Sequence, residues 1–178
     1  KPGIEHPNLQ YHFLPSVVWD HGRIMPDRHA FQAHVGPMRP TSVGELRLQS
    51  ADPRQHPIIQ PNYLTTENDV REMRDAVKLS REIFEQPAFG PYRGAEMAPG
   101  KDIQSDDQID AFVRQKSDSA YHPSCTCKMG VDDLAVVDAE TRVHGLEALR
   151  IVDASIMPDI VSGNLNAPTI MMAEKAAD

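Results

Sequence analysis

Residues 120–130 read AYHPSCTCKMG, which places His122, Cys125, Cys127 and Lys128 within seven positions. Three chemistries compete for such a stretch: metal ligation, thiol redox and proton transfer. Zinc sites usually space their cysteines by two to four residues and complete the set with a second pair from elsewhere. This chain has two cysteines in all, and its other histidines (6, 12, 21, 29, 34, 56 and 144) show no His-x-x-x-His or His-Glu-x-x-His spacing. No metal is expected. Redox pairs are normally Cys-x-x-Cys at a helix N-terminus. Cys-x-Cys lacks that geometry, and a disulfide across it would be strained. The two cysteines then read as small hydrophobes. His122 remains, either as a packed structural histidine or as a proton acceptor.

The C-terminal stretch SGNLNAPTIMMAEKAAD (162–178) moves that choice toward chemistry. Asn164 and Asn166 fall in a glycine-containing loop directly before a predicted helix, with Pro168 at or near its first turn, where proline is tolerated. The start of such a helix carries orphan N–H groups and a partial positive charge. It can stabilise an anion developing on a ligand. A base, a carboxamide and a positive helix end are the groups that alcohol oxidation by a flavin needs.

The elements that must position these groups are legible in part. QYHFLP, AFQAHVG and ELRLQS alternate apolar and polar residues between Pro and Gly, the pattern of short antiparallel strands. ADPRQHP (51–57) reads as a turn. Thr66 opens a predicted amphipathic helix carrying Val70, Met73, Val77, Ile83 and Phe84, stopped by Gln86-Pro87. Residues 87–100 read as a loop. Ser105-Asp106-Asp107-Gln108 is a capping box that opens a second helix through Phe112 and Val113. After residue 117 the helical periodicity disappears. Leu149 to Val152 is predicted as a short apolar strand entering a turn at Asp153.

The totals fit an ordinary globular domain: 178 residues, 40% hydrophobic and 25% charged. A net charge of -8 argues against nucleic acid, whose phosphates call for basic patches. No stretch approaches the roughly 18 apolar residues of a spanning helix. The chain opens KPGIEHPNLQ without Met and closes KAAD inside a predicted helix, so a segment of a larger protein is expected.

YHPSCTCKMG followed by LRIVDASIMPDIVSGNLNAPTIMMAEKAAD resembles the C-terminal signature of the glucose–methanol–choline flavin oxidoreductases. HFLPSVVWDHGR, HVGPMRPTSVGELRLQS, HPIIQPNYL and PYRGAEMAPG resemble the choline-oxidising branch of that family, in order and along essentially the whole chain. The resemblance implies an α+β fold. An antiparallel sheet with flanking helices, most of the family's substrate domain, spans 1–118, and 119–178 is the active-site segment and C-terminal return of a Rossmann-like FAD domain. It implies FAD as cofactor, choline or a similar small alcohol as substrate, a respiratory electron acceptor, and association with the cytoplasmic or inner mitochondrial membrane. The missing N-terminal half of the FAD domain is an implied partner, because none of the ten glycines forms the Gly-x-Gly-x-x-Gly phosphate cradle. The fragment alone is then expected to hold FAD weakly and to be inactive.

Residue by residue, the resemblance makes His122 and Asn164 catalytic. Asp153, Ala154, Asn164, Asn166, Ala167, Pro168 and Thr169 would contact the cofactor. Tyr121, beside the base, would offer an aromatic face to a quaternary ammonium, with Trp19 a poorer choice, and His34 of AFQAHVG would lie near the substrate. The chain departs from the family at Cys125, where many members have glycine. A different primary alcohol on the same chemistry, or a non-catalytic binding module, are the alternative readings.

Overall fold

Helix α1 (Glu67–Phe84) begins where its N-cap is strongest. Thr66 is extended and its side chain accepts from the Asp69 N–H, while Glu67 and Asp69 put negative charge in the first turn. It ends before Pro87, as the Gln86-Pro87 pair requires. Helix α2 (Asp106–Lys116) carries the capping box in full: Gln108 N–H donates to the Ser105 hydroxyl, and the Gln108 side chain accepts from the Ser105 N–H. Helix α3 (Asn166–Ala177) follows Leu165, with no side-chain cap.

The computed structural model describes residues 3–19, 22–24 and 27–178. His21, and Asp20 of the HFLPSVVWDHGR motif, lie outside the described residues. The chain divides into two compact units: Lys1–Ser42 with Leu64–Asp118, and Val43–Tyr63 with Ser119–Asp178. It is α+β, with antiparallel pairing in two two-stranded sheets among the described residues. Strands β1 (Leu9–Leu14) and β2 (Gln32–Pro37) belong to the first unit, and β3 (Glu45–Arg47) and β4 (Ile58–Gln60) to the second. Asp52 accepts from the Gln55 N–H in the turn between β3 and β4.

In the first unit the β1–β2 ladder sets Tyr11 opposite Val35 and His12 opposite His34. Because strand side chains alternate, Leu9, Tyr11, Phe13, Ala33 and Val35 share one face and Gln10, His12, Gln32 and His34 the other. The apolar face meets α1: the Tyr11 hydroxyl lies 3.1 Å from the Ser80 hydroxyl, and Phe13 joins Phe31, Phe84 and Phe89 in a four-ring cluster. Helices α1 and α2 close a small core of Val77, Ile109 and Val113. Arg74 bridges them through Asp110 and Asp106.

The second unit is built mostly from turns. Leu149 to Val152 does not form the strand expected there. It makes one isolated bridge, Arg142 with Arg150, and exchanges two backbone bonds, Val143 N–H to Leu149 O and Ile151 N–H to Thr141 O. Leu149 and Val152 are exposed, so apolar composition alone, with a single short backbone partner, does not make a ladder. Val137, Ile156, Met157 and Leu165 are the buried apolar residues of this unit.

Candidate active site

Backbone pairing positions His122. Downstream of it, the N–H groups of Cys125, Cys127 and Met129 donate in turn to the carbonyls of Ala154, Ser155 and Ile156 at 3.3, 2.9 and 2.8 Å. The segment after the histidine is thereby laid along the turn that follows Asp153. That turn, a 3₁₀ helix over Ala154–Ile156, is capped by Asp153, whose carboxylate accepts from the Ser155 N–H at 2.7 Å. Ile156 of this turn and Met157 directly after it are buried. Ala154 is thereby paired with the segment after His122, and Asp153 precedes it in the chain.

Two residues flanking His122–Ser124 take left-handed backbone, Tyr121 at φ 59° and Cys125 at φ 70°. This conformation costs an L-residue about 1–2 kcal/mol and glycine nothing. The departure from glycine at Cys125 thus falls where the backbone asks for glycine. Cys125 and Cys127 are free thiols, and Cys125 Sγ donates to the Ser124 hydroxyl. Among the described residues no group of three acidic, His or Cys side chains is placed to hold a metal.

The structure brings the two predicted catalytic side chains together. His122 Nε2 lies 3.1 Å from Asn164 Oδ1, across 42 residues of sequence. An amide oxygen only accepts, so in this pairing Nε2 carries the proton. Rotation of the amide by a half turn would present Nδ2–H to an unprotonated Nε2. His122 is half-buried and Asn164 exposed. Asn166 and Ala167 form the first exposed turn of α3. Pro168 has no N–H to satisfy, and Thr169 closes the turn by donating its N–H to Leu165 O. Its hydroxyl donates to the same carbonyl at 2.7 Å.

Tyr121 is exposed, with its N–H donating to the Ser119 hydroxyl. Trp19 belongs to the first unit, where it bridges to Ile24. His34 also lies in the first unit, on the polar face of β2. Sequence reasoning missed its neighbour Gln32, which contacts the His34 ring directly. The signal was present, since residues two apart on a strand share a face.

A sequence model of the GMC oxidoreductase family matches residues 40–173. The human protein named choline dehydrogenase, mitochondrial, is 66% identical over 180 residues, covering 100% of this chain and 30% of the relative. Oxygen-dependent choline dehydrogenase of Pseudomonas fluorescens is 58% identical over 175 residues, covering 98% of this chain and 31% of the relative. Among solved structures, pyridoxine 4-oxidase from Mesorbium loti superposes with a TM-score of 0.88 at 31% identity, over 96% of this chain and 34% of that one. A formate oxidase from Aspergillus oryzae gives 0.87 at 27% identity, over 98% and 31%. The chain spans about a third of the length of the curated relatives it matches. The chain belongs to the GMC oxidoreductase family.

Proposed function

We propose that this chain carries the catalytic pair of an FAD-dependent enzyme that oxidises choline to betaine aldehyde, within a longer flavoprotein. The observation that carries the reading is the 3.1 Å approach of His122 Nε2 to Asn164 Oδ1. Choline is favoured over other alcohols by the 66% and 58% identity to proteins named choline dehydrogenase.

The residues present fit the ring of a flavin. The α3 start has no side-chain cap, and exposed Asn166 and Ala167 offer backbone donors to an anionic edge. They do not supply a pyrophosphate cradle, since no Gly-x-Gly-x-x-Gly occurs. Asn166, Ala167, Pro168 and Thr169 would hold the ring's edge, with Asp153 and Ala154 on its approach. When bound, the flavin supplies the two-electron acceptor for a hydride from the alcohol carbon.

The side chains of this chain do the proton work. A substrate hydroxyl inserted between the pair meets an unprotonated Nε2, which accepts its proton. Asn164, with its amide turned, donates Nδ2–H to the same oxygen and fixes its lone pairs. Tyr121 offers a ring face to the trimethylammonium end. The family resemblance also implies a substrate-side role for His34. A respiratory electron acceptor and attachment to a membrane complete the proposal. No described helix is long and apolar enough to cross a membrane, so attachment would use another means.

The test is anaerobic addition of choline to the full-length protein while the flavin absorbance is followed. The expected result is bleaching, slowed by about 10²–10⁴ in His122→Ala. A variant within about threefold of the parent, far short of that base contribution, would remove His122 from its role. A flavin that stays oxidised with choline and bleaches with another alcohol would keep the pair and discard the substrate.

A further inference from the structure

The polar face of the β1–β2 ladder contains a short relay of hydrogen bonds that ends on His34. Val18 donates its backbone N–H to Gln32 Oε1 at 3.0 Å. A backbone N–H has no lone pair, so the Gln32 atom facing it must be the amide oxygen. That fixes which way round the amide lies and leaves Nε2 with its two hydrogens. Gln32 Nε2 is the atom in contact with His34 Nε2. An amide NH₂ only donates, so the ring nitrogen it meets must offer a lone pair.

We infer that Gln32 is a positioning residue that holds the His34 imidazole in its Nδ1–H tautomer. A neutral histidine side chain in water favours the opposite, Nε2–H, form, so Gln32 reverses the ordinary preference. A neutral hydrogen bond of the usual net strength shifts such a ratio roughly threefold to tenfold. Gln32 and His34 stand two apart on β2 and share a face, so the bond needs no unusual backbone. His12 is directly across the ladder on that face. The relay starts at Val18, so the loop after β1 sets the tautomer of a residue on β2.

With Nε2 occupied, the nitrogen left to His34 for a ligand is Nδ1, and it is a donor. Such a ring edge takes an oxygen lone pair, from a hydroxyl or a carbonyl, and offers no lone pair to a cationic headgroup. This consequence rests on the proposed placing of His34 beside the substrate. The tautomer itself does not.

The experiment is ring-nitrogen NMR of the full-length protein with ¹⁵N-labelled histidine, at about pH 8.5, two units above the ordinary imidazole pKa of about 6.5. The His34 signals are assigned by their loss in His34→Asn. The expected parent spectrum has a pyridine-type Nε2 and a pyrrole-type Nδ1. A pyrrole-type Nε2 in the parent overturns the inference. In Gln32→Glu the carboxylate still accepts from Val18 N–H and now accepts from the ring, so Nε2 is expected to become pyrrole-type. Gln32→Leu is expected to drift the same way. A pyridine-type Nε2 retained in both variants overturns the inference as well. The melting temperature of Gln32→Glu distinguishes a tautomer switch from misfolding, and the parent spectrum decides on its own if both variants fail to fold. Choline-dependent flavin bleaching is recorded separately, so loss of the substrate reading leaves the tautomer result standing.

Discussion

The two compact units hold themselves in different ways. The first is made of regular elements: two capped helices, a two-stranded ladder, a four-ring aromatic cluster and a bidentate arginine between α1 and α2. The second, which carries His122 and Asn164, is held largely by backbone bonds between turns. Four of its non-glycine residues beyond the β3–β4 segment take positive φ: Tyr121, Cys125, Thr141 and Ala148. Thr141 is the extreme case. It is β-branched, buried and left-handed, with a hydroxyl that has no hydrogen-bond partner among the described residues. Strain of this kind persists only where surrounding contacts over-determine it. The contrast teaches that in this chain the frame is stabilised by side chains, whereas the site is positioned by main chain.

The sharpest way to break that comparison is to remove the same side chain from each unit. Ile109 and Ile156 are both fully buried, one between α1 and α2, the other in the turn paired with the segment after His122. Ile→Ala at either position is expected to cost about 2–5 kcal/mol in the full-length protein, measured by urea unfolding. The variants should differ in function. Ile156→Ala loosens the turn whose carbonyl receives the Met129 N–H, so flavin reduction by choline should slow at temperatures where the protein is still folded. Ile109→Ala should leave it near the parent rate. Equal losses of rate would show that the site depends on global stability rather than on its own seat.

A smaller effect sharpens the side-chain half of the contrast. Asp69 is buried at the third position of α1. Its two oxygens accept from Thr41 N–H, the Thr41 hydroxyl and Ser42 N–H, each at 2.8 Å. Burial pushes its carboxyl up, but the bonds from Ser42 and Thr41 outweigh burial and hold it below the usual carboxylate range. Its stabilisation is therefore complete above the unfolded value of about 3.9. It is lost as pH falls through the lower folded value. Asp69→Asn turns one acceptor into a donor facing another donor, at an expected cost of about 1–3 kcal/mol. The urea midpoint should fall at neutral pH and become less sensitive to acid than in the parent. An unchanged acid limb would assign that sensitivity to other carboxylates.

What the sequence made legible follows the same division. Thr66, Ser105 with Gln108, and Pro168 each signal a helix start through a side chain that meets backbone donors or lacks one, and each helix begins where they indicate. His122 and Asn164 were singled out together through the family pattern, and their side chains lie 3.1 Å apart. The pairing of residues 125–129 with 154–156 was not legible. It is made by main-chain groups, which every residue possesses, so no side-chain type marks it. For the same reason Leu149 to Val152 reads as a strand from composition and yet forms one bridge. Gln32 was overlooked because glutamine is ordinary on a strand's polar face, and only the direction of the Val18 N–H reveals what its amide does.

Cys125→Gly gives the smallest effect, and Cys125 gives the most direct test of main-chain control. Its φ of 70° costs an L-residue about 1–2 kcal/mol. Glycine would remove that cost but lose about 0.5–1 kcal/mol through the greater freedom of the unfolded chain. The two terms nearly cancel, so Cys125→Gly is expected to change stability by less than about 1 kcal/mol, in the stabilising direction. The bond from Cys125 Sγ to Ser124 is exchanged for nothing, a loss of a few tenths at a partly exposed thiol. Cys125→Val puts a β-branched side chain at the same φ and should destabilise by about 1–3 kcal/mol. It should also slow flavin reduction, because relaxing φ would move the Cys125 N–H away from Ala154 O and displace His122, three residues upstream. Thermal unfolding and anaerobic reduction of the two variants side by side read both halves. A valine variant as active and as stable as the glycine variant would mean that the left-handed turn is not what holds the histidine.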